Sequence, residues 1–115
     1  MSVKVSLSEL AHEVPRWSFG YLVTVSEDSL PHVIALQPAV AVSADGVCHL
    51  RFDAEGRRAC RNAADRPQVT VVFPPLAGGD GYSLIIEGTA TVDGDVVDLA
   101  PTGAVLHRPA PDLAG

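Results

Sequence analysis

The chain reads as a mostly β protein, an antiparallel barrel or sandwich carrying one or two short helices. Three observations predict it. Runs of β-branched and aromatic residues alternate with period two, beginning with "GYLVTVS" at 20–26. These runs are joined mostly by short polar turns, and Asp93-Gly94 is a strong two-residue hairpin signal between two of them. In mid-chain a single stretch, "EGRRACRNAADRP", switches to helical spacing. Full closure into a barrel would remove the exposed sheet edges.

The elements follow in order. In "SLSELAHEV", Leu7, Leu10, Ala11 and Val14 recur at helical spacing, Ser6 or Ser8 serves as a cap, and Pro15 stops the turn. Residues 1–18 are therefore expected as an N-terminal helical segment. The first strand is 20–26, followed by the polar turn "EDSLP". "HVIALQPAVAVS" is apolar on both faces, as in a strand covered on both sides. Pro38 inside it cannot donate a ladder hydrogen bond and marks a bulge or an edge position. "ADG" turns the chain into "VCHLRFD". The helix after it has a narrow face of small residues, Ala59, Cys60, Ala63 and Ala64, and Pro67 closes it. "QVTVVF" is the next strand, with Val69, Val71 and Phe73 on one face. After the loop "PPLAGGDG" comes "YSLIIEGTATV", then the hairpin, then "DVVDLAP" and "GAVLHRP" as closing strands. Residues 109–115 read as a flexible tail. The total is six or seven strands, with no internal repeat.

Within the "YSLIIEGTATV" strand, Tyr82, Leu84, Ile86, Gly88, Ala90 and Val92 share one face. Gly88 thus falls where a core side chain would be wanted. Glycine there signals a bulge, a bend at a barrel corner or a close approach by another group. Glu87, on the opposite face, meets water or a partner.

At 115 residues the chain fits one domain, with a core small enough that association with a second copy would help it. The composition is that of a folded protein: 47% apolar and 19% charged. Eight Lys and Arg against fourteen Asp and Glu give a formal net charge of −6. That balance argues against bulk electrostatic binding to nucleic acid or to an anionic membrane. The N-terminus lacks the long apolar core of a signal peptide, and no stretch approaches membrane-spanning length. Cys48 and Cys60 do not form a Cys-x-x-Cys pair and read as small buried hydrophobes in a reducing compartment. The expectation is a cytoplasmic protein.

Half of the basic residues, Arg57, Arg58, Arg61 and Arg66, fall within ten positions at the start of the mid-chain helix, just after Gly56. Guanidinium forks beside a helix N-terminus make a site for phosphate. The alternative is a solvated helix face whose arginines pair with the abundant carboxylates. In "HLRFD", alternation sends Cys48, Leu50 and Phe52 one way and His49, Arg51 and Asp53 the other. The second set either lines a ligand cleft or forms the wet face of a half-buried sheet. The four histidines, His12, His32, His49 and His107, show no metal-ligand spacing, so no metal site is expected. No Gly-x-Ser-x-Gly elbow, Walker loop or Gly-x-Gly-x-x-Gly occurs. No set of catalytic side chains emerges, and any chemistry would have to be carried by a cofactor.

The order of "GYLVTVSEDSLPHVIAL", "HLRFDAEGRRACRNAADRPQVTVVF" and "YSLIIEGTATV" resembles the pyridoxamine 5′-phosphate oxidase-like superfamily, the FMN-binding split β-barrels. The resemblance runs from about Gly20 to Arg108. Its most specific part is Asn62 ahead of Pro67, then a strand, then Glu-Gly-Thr-Ala. It implies a six-stranded antiparallel split β-barrel with Greek-key order, a homodimer, and cofactor sites at the dimer interface. It also implies that the cofactor phosphate meets Arg51, Phe52 and Asp53 and the stretch holding Gly56, Arg57, Arg58, Arg61 and Asn62. The family often shows Ser or Thr, then Arg or Lys, then Lys at that helix start. Here those positions hold Arg57, Arg58 and Ala59. Relatives bind a deazaflavin coenzyme or haem in place of FMN. The resemblance does not extend to a long C-terminal segment with substrate-recognition residues, so pyridoxamine phosphate oxidase activity itself is not expected.

Three functions follow, in this order. The first is a flavin- or deazaflavin-dependent oxidoreductase. The second is a non-catalytic haem or cofactor carrier with His32, His49 or His107 as axial ligand. The third is a cofactor-free dimeric barrel.

Overall fold

The computed structural model describes residues 2–55 and 58–109. Gly56 and Arg57, two of the expected phosphate-binding residues, and 110–115 of the expected tail lie outside the described residues.

The described residues form eight strands and two short helices: β1 (Ser2–Lys4), α1 (Leu10–Glu13), β2 (Gly20–Val25), β3 (Pro31–Leu36), β4 (Ala39–Val42), β5 (Cys48–Asp53), α2 (Arg58–Asp65), β6 (Gln68–Phe73), β7 (Ser83–Asp93) and β8 (Val96–His107). Single 3₁₀ turns, Leu7–Glu9 and Val14–Arg16, flank α1. The strands form one antiparallel sheet in the order β3-β2-β6-β7-β8-β5-β4, with β1 added to the far end of β8. Within it, β5-β8-β7-β6 is a Greek key, and the β5-to-β6 connection carries α2 across the sheet.

The strand count differs from the expected six for three physical reasons. The N-terminal segment is not helical throughout, because Ser2–Lys4 pairs with Val105–His107. Pro38 does more than bulge a strand. It ends one and starts another, so that β3 pairs only with β2 and β4 only with β5. The two closing strands are one, since the Pro101–Gly103 interruption is absorbed by a bulge. The edge strands β3 and β4 do not pair with each other. Only Gln37 and Pro38 separate them in sequence, which holds the two sheet edges within about 11 Å at that corner, at roughly 3.6 Å per residue.

One core runs inside this curled sheet. Leu22, Leu50, Phe52, Val71, Phe73, Leu84, Ile86, Val97 and Leu99 are fully buried in it, and α1 and its flanking turns close one end with Leu10, Val14 and Trp17. Helix α2 adds Ala59, Cys60 and Ala63, the small face read from the sequence, while Ala64 points outward. Small side chains let the helix lie close on the sheet.

Gly88 sits at the register shift between β7 and β8. Glu87 pairs with Gly103 and Gly88 with Pro101, leaving Thr102 as the extra residue on β8. A Cβ on Gly88 would lie 2.4 Å from the Ala100 carbonyl oxygen and 2.8 Å from Leu99 Cδ2. The glycine is therefore the condition for close approach of the two strands. Glu87 is exposed, as its alternation requires. At the hairpin tip Gly94 has φ +59°, the left-handed conformation that this turn demands.

Candidate functional site

The inner face of β2 ends on a polar residue. Leu22 and Thr24 both point inward and are fully buried, and Thr24 lies opposite His32 of β3. A buried hydroxyl needs a partner. Asn62 of α2, 3% exposed, supplies one by donating from Nδ2 to Thr24 Oγ1 at 3.1 Å. One turn further on, Arg66 donates from Nε to the Val25 carbonyl at 2.6 Å. These two bonds pin the C-terminal half of α2 to the end of β2.

Beside this seam lies a cavity of about 400 Å³, within the size range of small-molecule sites. One wall is the end of β2, the turn and the start of β3, including Ser26, Glu27, Asp28 and His32. The other is α2, with Arg58, Arg61, Asn62, Asp65 and Arg66. Three arginines therefore meet three carboxylates. Arg66 is engaged with the backbone. Arg58 and Arg61 are exposed and form no ion pair or hydrogen bond among the described residues, although Asp65 is on their own helix. A solvated helix face neutralised by its neighbours would show such pairs. His32 contributes a second unfilled valence: its Nδ1 is buried and has no hydrogen-bond partner among the described residues.

The expected phosphate residues are not gathered at one point. Arg58, Arg61 and Asn62 come together on this cavity. Asn62, however, is buried and already bonded to Thr24, so its first role is to seat the helix. Phe52 is fully buried in the core, on the face that alternation assigned to Cys48 and Leu50, and its side chain is not available to a ligand. Asp53 is exposed and accepts the Glu55 N–H at 3.1 Å, shaping the turn that leaves β5. Arg51 is on the outer face of the sheet. There Asp98 of β8, its register partner, receives His49 Nδ1–H at 2.7 Å and lies 3.6 Å from Arg51 Nε. The polar face of "HLRFD" thus forms a small surface network with Asp98.

Sequence reasoning missed the β2–β3 wall and Asp98. No linear pattern ties residues 26–32 to α2. Of the other histidines considered as ligands, His107 shares a 2.9 Å hydrogen bond through Nδ1 with Ser2. Burial pushes the Cys48 thiol up, which keeps it protonated and unreactive. Among the described residues no group of three or more His, Cys, Asp or Glu could hold a metal ion, and no helix is long and apolar enough to cross a membrane.

No family model matches the chain. It is 36% identical over 118 residues to the uncharacterized protein Mb0449c of Mycobacterium bovis, covering 93% of this chain and 82% of that protein. The uncharacterized protein MT0457 of Mycobacterium tuberculosis matches to the same extent. Among solved structures, the FAD binding protein from Mycobacterium smegmatis superposes with a TM-score of 0.66 at 20% identity, over 94% of this chain and 100% of that one. An F420 reductase gives a TM-score of 0.57 at 17% identity, over 75% and 87% of the two chains. A Listeria innocua protein provisionally named a pyridoxamine 5′-phosphate oxidase gives 0.64 at 14% identity, over 90% and 100%. These structural likenesses establish a shared fold.

Proposed function

We propose that this chain, which belongs to one family with the two mycobacterial proteins, is a member of the pyridoxamine 5′-phosphate oxidase-like superfamily, binds a flavin or deazaflavin coenzyme through its phosphate and works as an oxidoreductase. The observation that carries this reading is the pair of guanidinium groups, Arg58 and Arg61, on one wall of the α2 cavity, without a partner among the described residues. They fit a phosphate in kind. Both are permanently charged, both offer planar forks, and neither has a competing carboxylate bonded to it among the described residues. Arg57 precedes them in sequence. Bound there, the cofactor ring would supply hydride transfer, and the protein's part is to hold and orient it. Arg58 and Arg61 hold the phosphate. The Asn62–Thr24 and Arg66–Val25 bonds keep their helix in place against the load. FMN is the first candidate, and a deazaflavin coenzyme the second.

The curled sheet is read as the split barrel of this superfamily, with its seam at Gln37-Pro38. The working unit is proposed as a homodimer. On the outer face, Ala35, Tyr21, Val72, Ile85 and Val105 lie in one row across β3, β2, β6, β7 and β8, and Val33 and Val23 stand beside it. Val33 is 53% exposed and Tyr21 38%. An apolar row of this extent on a sheet face is suited to burial against a second copy. A reducing, cytoplasmic setting accords with two free buried cysteines.

The test is a titration of the purified protein with FMN and with riboflavin, followed by the visible spectrum. The expected result is tighter binding of FMN, and loss of that preference in an Arg58→Ala/Arg61→Ala variant. Equal affinity for both ligands in the wild type would overturn the phosphate role.

A further inference from the structure

We propose that His32 is the neutral third donor of this anion site, held as the Nε2–H tautomer, and that it makes the cavity select a phosphate monoester over a carboxylate. The inference rests on the phosphate reading above and extends it to the opposite wall.

His32 lies on the inner side of β3, the side of Ile34 and Leu36, directly across from Thr24. It lines the cavity. The Thr24 hydroxyl, opposite it in the register, accepts from Asn62 and is not bonded to His32. The Nδ1 atom of His32 is buried and without a partner among the described residues, and Nε2 does not share that condition. Of the two ring nitrogens, the one that carries the proton is set by what the other can bond. A proton on Nδ1 would be a buried N–H with no acceptor, which costs more than a bare lone pair. The proton therefore belongs on Nε2, which makes this nitrogen the donor that His32 can offer to the cavity it lines.

The consequence is chemical selectivity. Guanidinium forks serve carboxylate and phosphate alike, since both offer two oxygens in a plane. Arg58 and Arg61 come from α2, while His32 comes from β3, the other wall. A donor from a second wall suits a tetrahedral group with a third oxygen and leaves a planar carboxylate unable to use it. Because the imidazole is neutral, it adds this bond without adding charge to a cavity that already holds Glu27, Asp28 and Asp65.

Two measurements test it. In wild-type protein labelled with ¹⁵N-histidine, the His32 ring should show Nε2 protonated and Nδ1 bare, and added inorganic phosphate should move the Nε2–H signal while added acetate should not. A resting Nδ1–H tautomer would overturn the proposal, and so would identical responses to the two anions. The second measurement compares His32→Gln, whose amide can replace a donor at the Nε2 position, with His32→Asn, whose amide cannot reach it. FMN affinity should stay within about threefold of wild type in the first and fall about tenfold in the second, with riboflavin affinity unchanged in both. Full FMN affinity in His32→Asn would sink the third-donor role. If the Arg58→Ala/Arg61→Ala variant also keeps full FMN affinity, the phosphate reading itself fails. If only the arginine variant loses it, the phosphate reading stands and His32 is a bystander. Should His32→Asn not fold, the wild-type spectrum decides alone.

Discussion

Between β7 and β8 there is no room for one more carbon: a Cβ on Gly88 would lie 2.4 Å from the Ala100 carbonyl oxygen. The neighbouring inward residues Ile86, Val97 and Leu99 are fully buried. On the outer side, Asp98 is shared by His49 and Arg51. Around α2 and the β2–β3 hairpin the reverse holds. There is a cavity of about 400 Å³, two arginines with no partner among the described residues, and a histidine with a bare buried nitrogen. The first region is packed against itself, and its Asp98 is partnered from within the protein. The second leaves valences for something else to fill. Stability should therefore reside in the hairpin and binding in the cavity, and substitutions in each should separate the two properties.

The largest effect is expected at Gly88. Gly88→Val must either part β7 from β8 or displace Leu99, and overpacking of this kind costs about 3 kcal/mol or more when backbone is the obstacle. The thermal midpoint should drop by on the order of 10 °C or more. Gly88→Ala should already be destabilising, because the contact is made by Cβ itself. A midpoint equal to wild type in either variant would mean that the hairpin has slack and the contrast is false.

Next comes the cavity. Arg58→Ala/Arg61→Ala should leave the thermal midpoint nearly unchanged, since exposed, unpaired side chains contribute within about 0.5 kcal/mol. The same variant should lose FMN affinity by on the order of a hundredfold, two charge-assisted bonds being removed. Arg51→Ala is the matched control. Its guanidinium is already partnered by Asp98, and FMN affinity should change by less than about threefold. Equal losses from Arg51→Ala and the double variant would move the site to the outer face.

Much of this division was legible in the sequence, and the reason is periodicity. Alternation along "HLRFD" separates buried Leu50 and Phe52 from His49 and Arg51, and the same rule put Gly88 on the inner face and Glu87 outside. Small residues at helical spacing marked the buried side of α2. What local pattern could not yield was anything set by register. The Thr24–Asn62 bond joins residues 38 apart and the His49–Asp98 bond residues 49 apart, and nothing near either position announces the other. Pro38 was visible as an interruption, but its placing of β3 and β4 at opposite edges depends on the whole strand order. For the same reason the sequence alone assigns Arg51 and Arg58 to one phosphate site. They are close in sequence and are directed to different sides of the molecule by alternation in one case and by helix packing in the other.

The buried bond that seats α2 is the third point of test. Thr24→Val and Asn62→Ala should each cost about 1–2 kcal/mol, as one partner is left buried without a bond. Together they should cost less than the sum, because the second change removes the group the first one stranded. Strict additivity in denaturant unfolding would show that the two side chains do not depend on each other. It would also show that the cavity wall is held by packing alone.

The smallest effect is expected at Asp98, and its smallness is what makes it informative. The carboxylate faces two cationic or polar partners, at 2.7 Å and 3.6 Å, which on geometry alone looks like a strong network. Solvent decides otherwise. The side chains of His49, Asp98 and Arg51 are 31%, 26% and 47% exposed, so water competes for each of them and salt screens what remains. Exposed pairs of this type contribute about 0–1 kcal/mol. Asp98→Asn keeps the shape and an acceptor for His49 while removing the charge. It should therefore lower stability by less than about 1 kcal/mol, with the difference shrinking further at high salt, and should leave FMN affinity unchanged. A loss well above that value, insensitive to salt, would mean that the outer face is covered in the working protein. The natural cover is the proposed second copy, reaching along β8 from the apolar row, which crosses that strand at Val105. Sedimentation of the Asp98→Asn variant distinguishes the two cases, because a covered Asp98 would weaken the dimer along with the fold, whereas a solvated one would leave the dimer as it is.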